Sequence, residues 1–219
     1  MASNTERQIA SLIDHTILKA NASSEEIDTY CSDAIEHGFC SVVVNPIYVS
    51  RVSAALQGTN VRTAAVVGFP LGANVTQLKV METDAALRDG ADEIDVVIDL
   101  GAMVDGRYAD VENELIAVRK VSAGKVLKVI IEACLLTEEG KIAASSISTA
   151  IGADFVKTST GFSTGGATVD DIALIRRTIG PDVGIKASGG IRSRDAALAM
   201  LHAGATRIGT SVGPLLLQP

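Results

Sequence analysis

The chain has 219 residues, 47% hydrophobic and only 3% aromatic, with no tryptophan and a formal net charge of -7 at pH 7. The acidic balance leaves no basic footprint, which argues against nucleic acid and anionic membrane surfaces as partners. No run approaches the ~18 apolar residues of a bilayer span, and the start, Met1 to Arg7, lacks the apolar stretch of a secretory signal. The three cysteines, Cys31, Cys40 and Cys134, are odd in number and lack metal spacing, so they read as reduced thiols in a cytoplasmic protein.

A helical extension over residues 1–11 ends in the amphipathic turn Gln8 to Leu12. It leads into a first strand, Ile13-Asp14-His15-Thr16, with Asp14 expected at its end. Ser23 and Glu26 have the spacing of a capping box, and Gly38 suits the left-handed stop of the helix they open. Further strands are expected at 39–44, 62–67, 93–98, 127–132, 154–157, 184–187 and 206–208. Helices are expected at 49–56, 75–88, 111–121, 138–151, 169–179 and 194–202, with Thr137, Thr168 and Ser193 as N-caps. The strands are nearly continuous aliphatic runs, as when helices cover one side and a packed interior fills the other.

Eight strands alternating with helices, in a chain of this length, predict one domain spanning residues 1–219 with the fold of a TIM (β/α)8 barrel. Gly-Ala pairs ahead of the fourth, sixth and eighth strands add a weak internal echo. A doubly wound open sheet would carry its phosphate loop after the first strand, and no GxGxxG occurs there.

In such a barrel, chemistry sits where strands give way to the following loops. Two apolar strands, Phe155-Val156-Lys157 and Gly184-Ile185-Lys186, are each expected to end at a lysine and run on into hydroxyls and glycine. Lysine is rarely buried, so the pair suggests an amine whose proton affinity is lowered by desolvation and by a neighbouring cation. Lys157 is the expected nucleophile because Phe155, Val156 and Phe162 give it the more apolar surroundings, and Lys186 is the neighbour that depresses it. Asp95, which alternation turns away from Ile94 and Val96 into the interior, is the expected proton carrier. Gly161, Gly189, Gly190 and Gly209 let backbone N–H groups approach an anion, with Ser188 and Ser211 adding hydroxyls. Arg192 is either a clamp on that anion or a solvent-facing helix start, and Glu132 is either structural or part of the site. No cofactor is called for, and His15, His37 and His202 do not cluster into a metal site.

The segments Ile13 to Thr16, Val66 to Gly72, Gly90 to Asp95, Lys157 to Phe162 and Lys186 to Gly190 together resemble the deoxyribose-phosphate aldolases, over about Leu12 to Gly213. The resemblance implies a class I aldolase on a TIM barrel. Its substrates would be small phosphosugars and aldehydes: 2-deoxy-D-ribose 5-phosphate cleaved to glyceraldehyde 3-phosphate and acetaldehyde. It implies a Schiff base on Lys157, a depressed pKa owed to Lys186 and a proton relay through Asp95. Asp14 and Thr16 would hold sugar hydroxyls, and Thr160 would join the phosphate loop. The chain departs from the family in three places: Val43-Val44 where many members have Cys-Val, Phe162 where one branch has a second lysine, and Val212 where a second serine is frequent. Another Schiff-base enzyme on a related sugar phosphate, or a binding barrel without turnover, stays open, as does a homodimer or higher homo-oligomer.

Overall fold

Alternation sends the two sides of each strand to different surroundings, and this one property builds the molecule. The computed structural model describes residues 4–218. In chain order it contains α1 (Asn4–Ala10), β1 (Ile13–Ile17), α2 (Ser24–His37), β2 (Ser41–Val44), α3 (Val49–Ala55), β3 (Arg62–Val67), α4 (Thr76–Arg88), β4 (Glu93–Val97), α5 (Leu100–Val104), α6 (Tyr108–Val121), β5 (Val126–Ile130), α7 (Glu138–Ala150), β6 (Phe155–Lys157), α8 (Val169–Ile179), β7 (Gly184–Ser188), α9 (Arg194–His202) and β8 (Arg207–Thr210). All the strand pairs are parallel, and β8 returns to β1 to close a barrel in sequence order. The architecture is the expected TIM barrel. Met1 to Ser3 of the expected N-terminal extension lie outside the described residues.

Local signals set most helix starts. Ser23 accepts from Glu26 N while the Glu26 carboxylate accepts from Ser23 N, so both halves of the capping box form. Gly38 caps the same helix at φ 68°. Thr137, Thr168 and Ser193 each accept from the backbone N–H three residues on. One helix escaped the sequence reading. Leu100–Val104 is a single turn capped by Asp99, whose side chain accepts from Ala102 N at 2.9 Å. Its five residues include Gly101, too little periodicity to detect.

Outward-facing residues such as Ile94 and Val96 of β4, Leu127 and Val129 of β5 and Ile185 and Ala187 of β7 join one apolar shell between strands and helices. Each fully buried Val, Leu or Ile there contributes roughly 1.5–3 kcal/mol. The inward side divides in two. Toward the mouth on the β1 to β3 side it is apolar, with Leu18, Val43, Ala64 and Val66 packed under Phe69. From β4 round to β8 and on to Asp14 it is charged, where barrels of this type usually carry branched aliphatics.

Candidate active site

Strand register assembles the charged half. Lys157 ends β6, and its register partner on β7 is Lys186, itself the partner of Arg207 on β8. Asp95 on β4 is the partner of Lys128 on β5. The Nζ atoms of Lys157 and Lys186 each lie 2.8 Å from the same Asp95 oxygen, Oδ2. Lys128 donates to the other oxygen, Oδ1, at 2.7 Å and lies 2.5 Å from Glu93. Asp14 accepts from Ser41 at 2.7 Å and from Arg207 at 2.8 Å, and lies 2.5 Å from Lys186 Nζ.

Two placements differ from the expected ones. Asp14 is the second residue of β1 and Lys186 the third of five in β7, so neither ends its strand. The ladder runs on above them, with Thr16 paired to Val43 and Ser188 to Gly209. Asp14 is therefore fully buried beneath the barrel mouth, held by Arg207, Lys186 and Ser41.

Above this layer opens a cavity of about 400 Å³. Thr16, Thr160 and Ser188 line its walls, and Gly161, Gly189-Gly190 and Gly209 to Ser211 form its rim. Among the described residues, Lys157 is the only member of the ion cluster that reaches it. Gly189 and Gly190 hold φ of 88° and 79°, the left-handed region that only glycine enters freely, so their N–H groups can turn toward an anion. Gly209 has another duty: a Cβ there would fall 2.2 Å from Ser188 Oγ and 3.0 Å from Lys186 Cε, so its bareness admits the lysine side chain. Ser188 Oγ is buried and has no hydrogen-bond partner among the described residues, which leaves it free for a ligand. Ser211 and Arg192 are exposed at the rim.

Glu132 sits against the β6 loop. It takes a left-handed backbone at φ 46°, and its carboxylate accepts from both Thr160 N and Thr160 Oγ1. Backbone strain of this kind collects at functional sites. Here it aims one side chain at the loop that carries Thr160 and Gly161. Phe162, 55% exposed, meets Phe69 edge-on with ring centroids 5.3 Å apart. A β6 loop and a β3 loop thus touch across one side of the mouth.

Charge decides what the amines do. The buried set holds three carboxylates, Asp14, Glu93 and Asp95, against four cations, Lys128, Lys157, Lys186 and Arg207. One proton is in surplus, and Lys157 is the group that releases it. Burial lowers its pKa to about 8, Asp95 opposes that fall, and the charges of Lys186 and Lys128 add to it. Lys128 goes the other way: burial alone would lower it, but Asp95, Asp14 and Glu93 together hold it well above the usual lysine range. Burial works against the anion of Asp95, yet Lys128, Lys157 and Lys186 keep its carboxyl well below the usual range. The site is an amine near neutrality, held by a resting carboxylate, under a glycine-rimmed cavity. It suits carbonyl attack followed by proton transfer.

Lys128, Glu93 and Arg207 did not stand out in the sequence. The signal was present, since each alternates with outward-facing Leu127, Val129, Ile94 and Ile208 just as Asp95 does. Among the described residues no group of three or more His, Cys, Asp or Glu could hold a metal ion, no helix is long and apolar enough to cross a membrane, and the cysteines are free.

The chain belongs to the family described as DeoC/LacD family aldolase, which it matches over residues 8–216. It is 53% identical over 214 residues to the deoxyribose-phosphate aldolase of Geobacillus sp. (strain WCH70), covering 97% of this chain and 96% of that one. It is 54% identical over 211 residues to the deoxyribose-phosphate aldolase of Streptococcus uberis (strain ATCC BAA-854 / 0140J), covering 96% of each. Among solved structures it is similar to the deoxyribose phosphate aldolase of Aeropyrum pernix, described as a unique tetramer, with a TM-score of 0.87 and 32% identity over 98% of this chain and 97% of that one.

Proposed function

We propose that this protein is a class I aldolase that reversibly cleaves 2-deoxy-D-ribose 5-phosphate to D-glyceraldehyde 3-phosphate and acetaldehyde, with Lys157 as the Schiff-base lysine. The observation that carries the proposal is that Lys157 alone of the buried ion cluster faces the cavity, with a pKa near 8. About a tenth of it is then neutral at pH 7. The neutral amine attacks C1 of the open-chain sugar, and the carbinolamine loses water to give an iminium. Loss of the C3 hydroxyl proton lets the C2–C3 electron pair flow into the iminium, releasing glyceraldehyde 3-phosphate and leaving an enamine. Protonation at C2 and hydrolysis then return acetaldehyde and free Lys157.

A carboxyl held as low as that of Asp95 is no standing proton source at neutral pH. Lys186, ion-paired to it 2.8 Å away, serves as the donor. Asp95 accepts and returns the proton between the two amines. Asp14 orients Lys186 from below, and Thr16, Thr160 and Ser188 meet the sugar hydroxyls. The 5-phosphate takes the N–H groups of Gly161, Gly189, Gly190 and Ser211. The reading extends to a cytoplasmic, homo-oligomeric enzyme of deoxyribose phosphate breakdown, in line with the tetramer described for the Aeropyrum pernix relative. The deciding assay couples glyceraldehyde 3-phosphate and acetaldehyde detection. Release of both from deoxyribose 5-phosphate, and not from other pentose phosphates, is expected; release from a different phosphosugar alone contradicts the substrate assignment.

Lys186→Leu tests the neighbouring charge. Removing a cation that lowers the Lys157 pKa should move the rising limb of the kcat/KM–pH profile to higher pH than about 8 and cripple kcat. A limb that stays in place shows that the Lys186 charge does not set the amine. Phe162→Lys tests the rim. It restores a cation beside the phosphate, worth about 1.5–3 kcal/mol as a charge-assisted bond, so KM for the phosphorylated sugar should fall while plain deoxyribose barely responds. An equal change in both places residue 162 away from the phosphate.

A further inference from the structure

Phe162 brings no charge to the phosphate end of the cavity; besides Arg192 at the rim, the β1–α2 side places a further cation there. Lys19 and Glu26 line the same cavity as Gly189, Gly190 and Ser211, and they are ion-paired to each other. Their position is fixed through α2. Glu26 and Tyr30 lie four residues apart on one helix face, and the Tyr30 hydroxyl donates to Ser211 O at 2.8 Å. Glu26 therefore sits beside the β8 loop, where the phosphate donors are. A lone carboxylate there would repel a dianion.

We propose that Lys19 is a movable cation of the phosphate subsite, exchanging its Glu26 partner for the substrate's phosphate; this rests on the phosphosugar reading above. The backbone around Lys19 is pinned, because Asn45 donates to Leu18 O at 3.1 Å and Tyr48 to Ala22 O at 2.5 Å. Only side-chain rotamers have to change. The Lys19 and Glu26 side chains are 48% and 41% exposed, so their pairing is weak and readily exchanged for a charge-assisted bond to a dianion. Glu26 does not become an orphan. It keeps the Ser23 N–H at 2.9 Å and its place at the N-terminus of α2, which favours a carboxylate.

Two substitutions pull in opposite directions. Lys19→Met should raise KM for deoxyribose 5-phosphate about tenfold, the scale of a lost charge-assisted bond, and should raise KM for plain deoxyribose far less. Glu26→Gln keeps the capping box, which accepts Gln in that position, but removes the competing charge. It should lower KM for the phosphorylated sugar about threefold, as expected for losing one exposed ion-pair partner. Calorimetric titration with inorganic phosphate reads the same site without turnover: Lys19→Met should weaken binding and Glu26→Gln should tighten it. Unchanged phosphate binding in Lys19→Met, or weaker binding in Glu26→Gln, overturns the proposal. If the wild type leaves deoxyribose 5-phosphate intact, the catalytic reading fails, and the phosphate titrations still decide on Lys19.

Discussion

Lys157→Ala should lower cleavage of deoxyribose 5-phosphate by at least about 10³-fold, as expected when the group that forms the covalent bond is removed. The fold should survive. The substitution deletes the surplus cation of the buried set and leaves Asp95 with Lys128 and Lys186 as partners. Tm is therefore expected to stay level or rise, and circular dichroism should be unchanged. Residual kcat within tenfold of the wild type would mean that another amine carries the reaction, with Lys186 the first to be tested.

Asp95→Asn is the second large effect, and it acts on three observables. Its carboxylate binds Lys128, Lys157 and Lys186 inside the barrel, and breaking one partner out of a buried ion set costs about 3–5 kcal/mol of stability. Loss of the proton acceptor should lower kcat by roughly 10²-fold or more. The pH response has a definite sign. Asp95 raises the Lys157 pKa against the pull of burial and Lys186, so without it the pKa should drop below about 8 and the activity–pH profile should begin at lower pH. A stable protein with unchanged kcat contradicts the relay. A drop in Tm alone, with kcat and pH profile intact, makes Asp95 a purely structural partner.

Much of the barrel is legible in the chain because its cues are local. Each strand is a short aliphatic run, and Ser23, Thr137, Thr168 and Ser193 mark helix starts with their own side chains. Lys157 and Lys186 stand out because glycine and hydroxyl residues follow them. Their being register partners on neighbouring strands needed only the strand order. Lys128, Glu93 and Arg207 alternate with aliphatic neighbours, and Lys128 and Glu93, unlike Lys157 and Lys186, are not followed by glycine and hydroxyl residues; what joins all three is closure of the barrel, which brings β8 back to β1 and Arg207 to Asp14. Asp14, expected at the end of its strand, lies deeper, because β1 runs on past it, and closure brings Arg207 and Lys186 to it. The strained Glu132 backbone and its grip on Thr160 also depend on tertiary context, since β5 must lie beside β6 before the two can meet.

The most direct measurement is borohydride reduction of the enzyme with deoxyribose 5-phosphate or acetaldehyde, followed by proteolysis and mass spectrometry of the labelled peptide. A reduced adduct on Lys157 is expected, two-carbon with acetaldehyde and two- or five-carbon with the sugar phosphate, growing with pH as the amine passes through its pKa of about 8. An adduct on Lys186 instead, or an enzyme that turns over without any trapped adduct, contradicts the Schiff-base assignment.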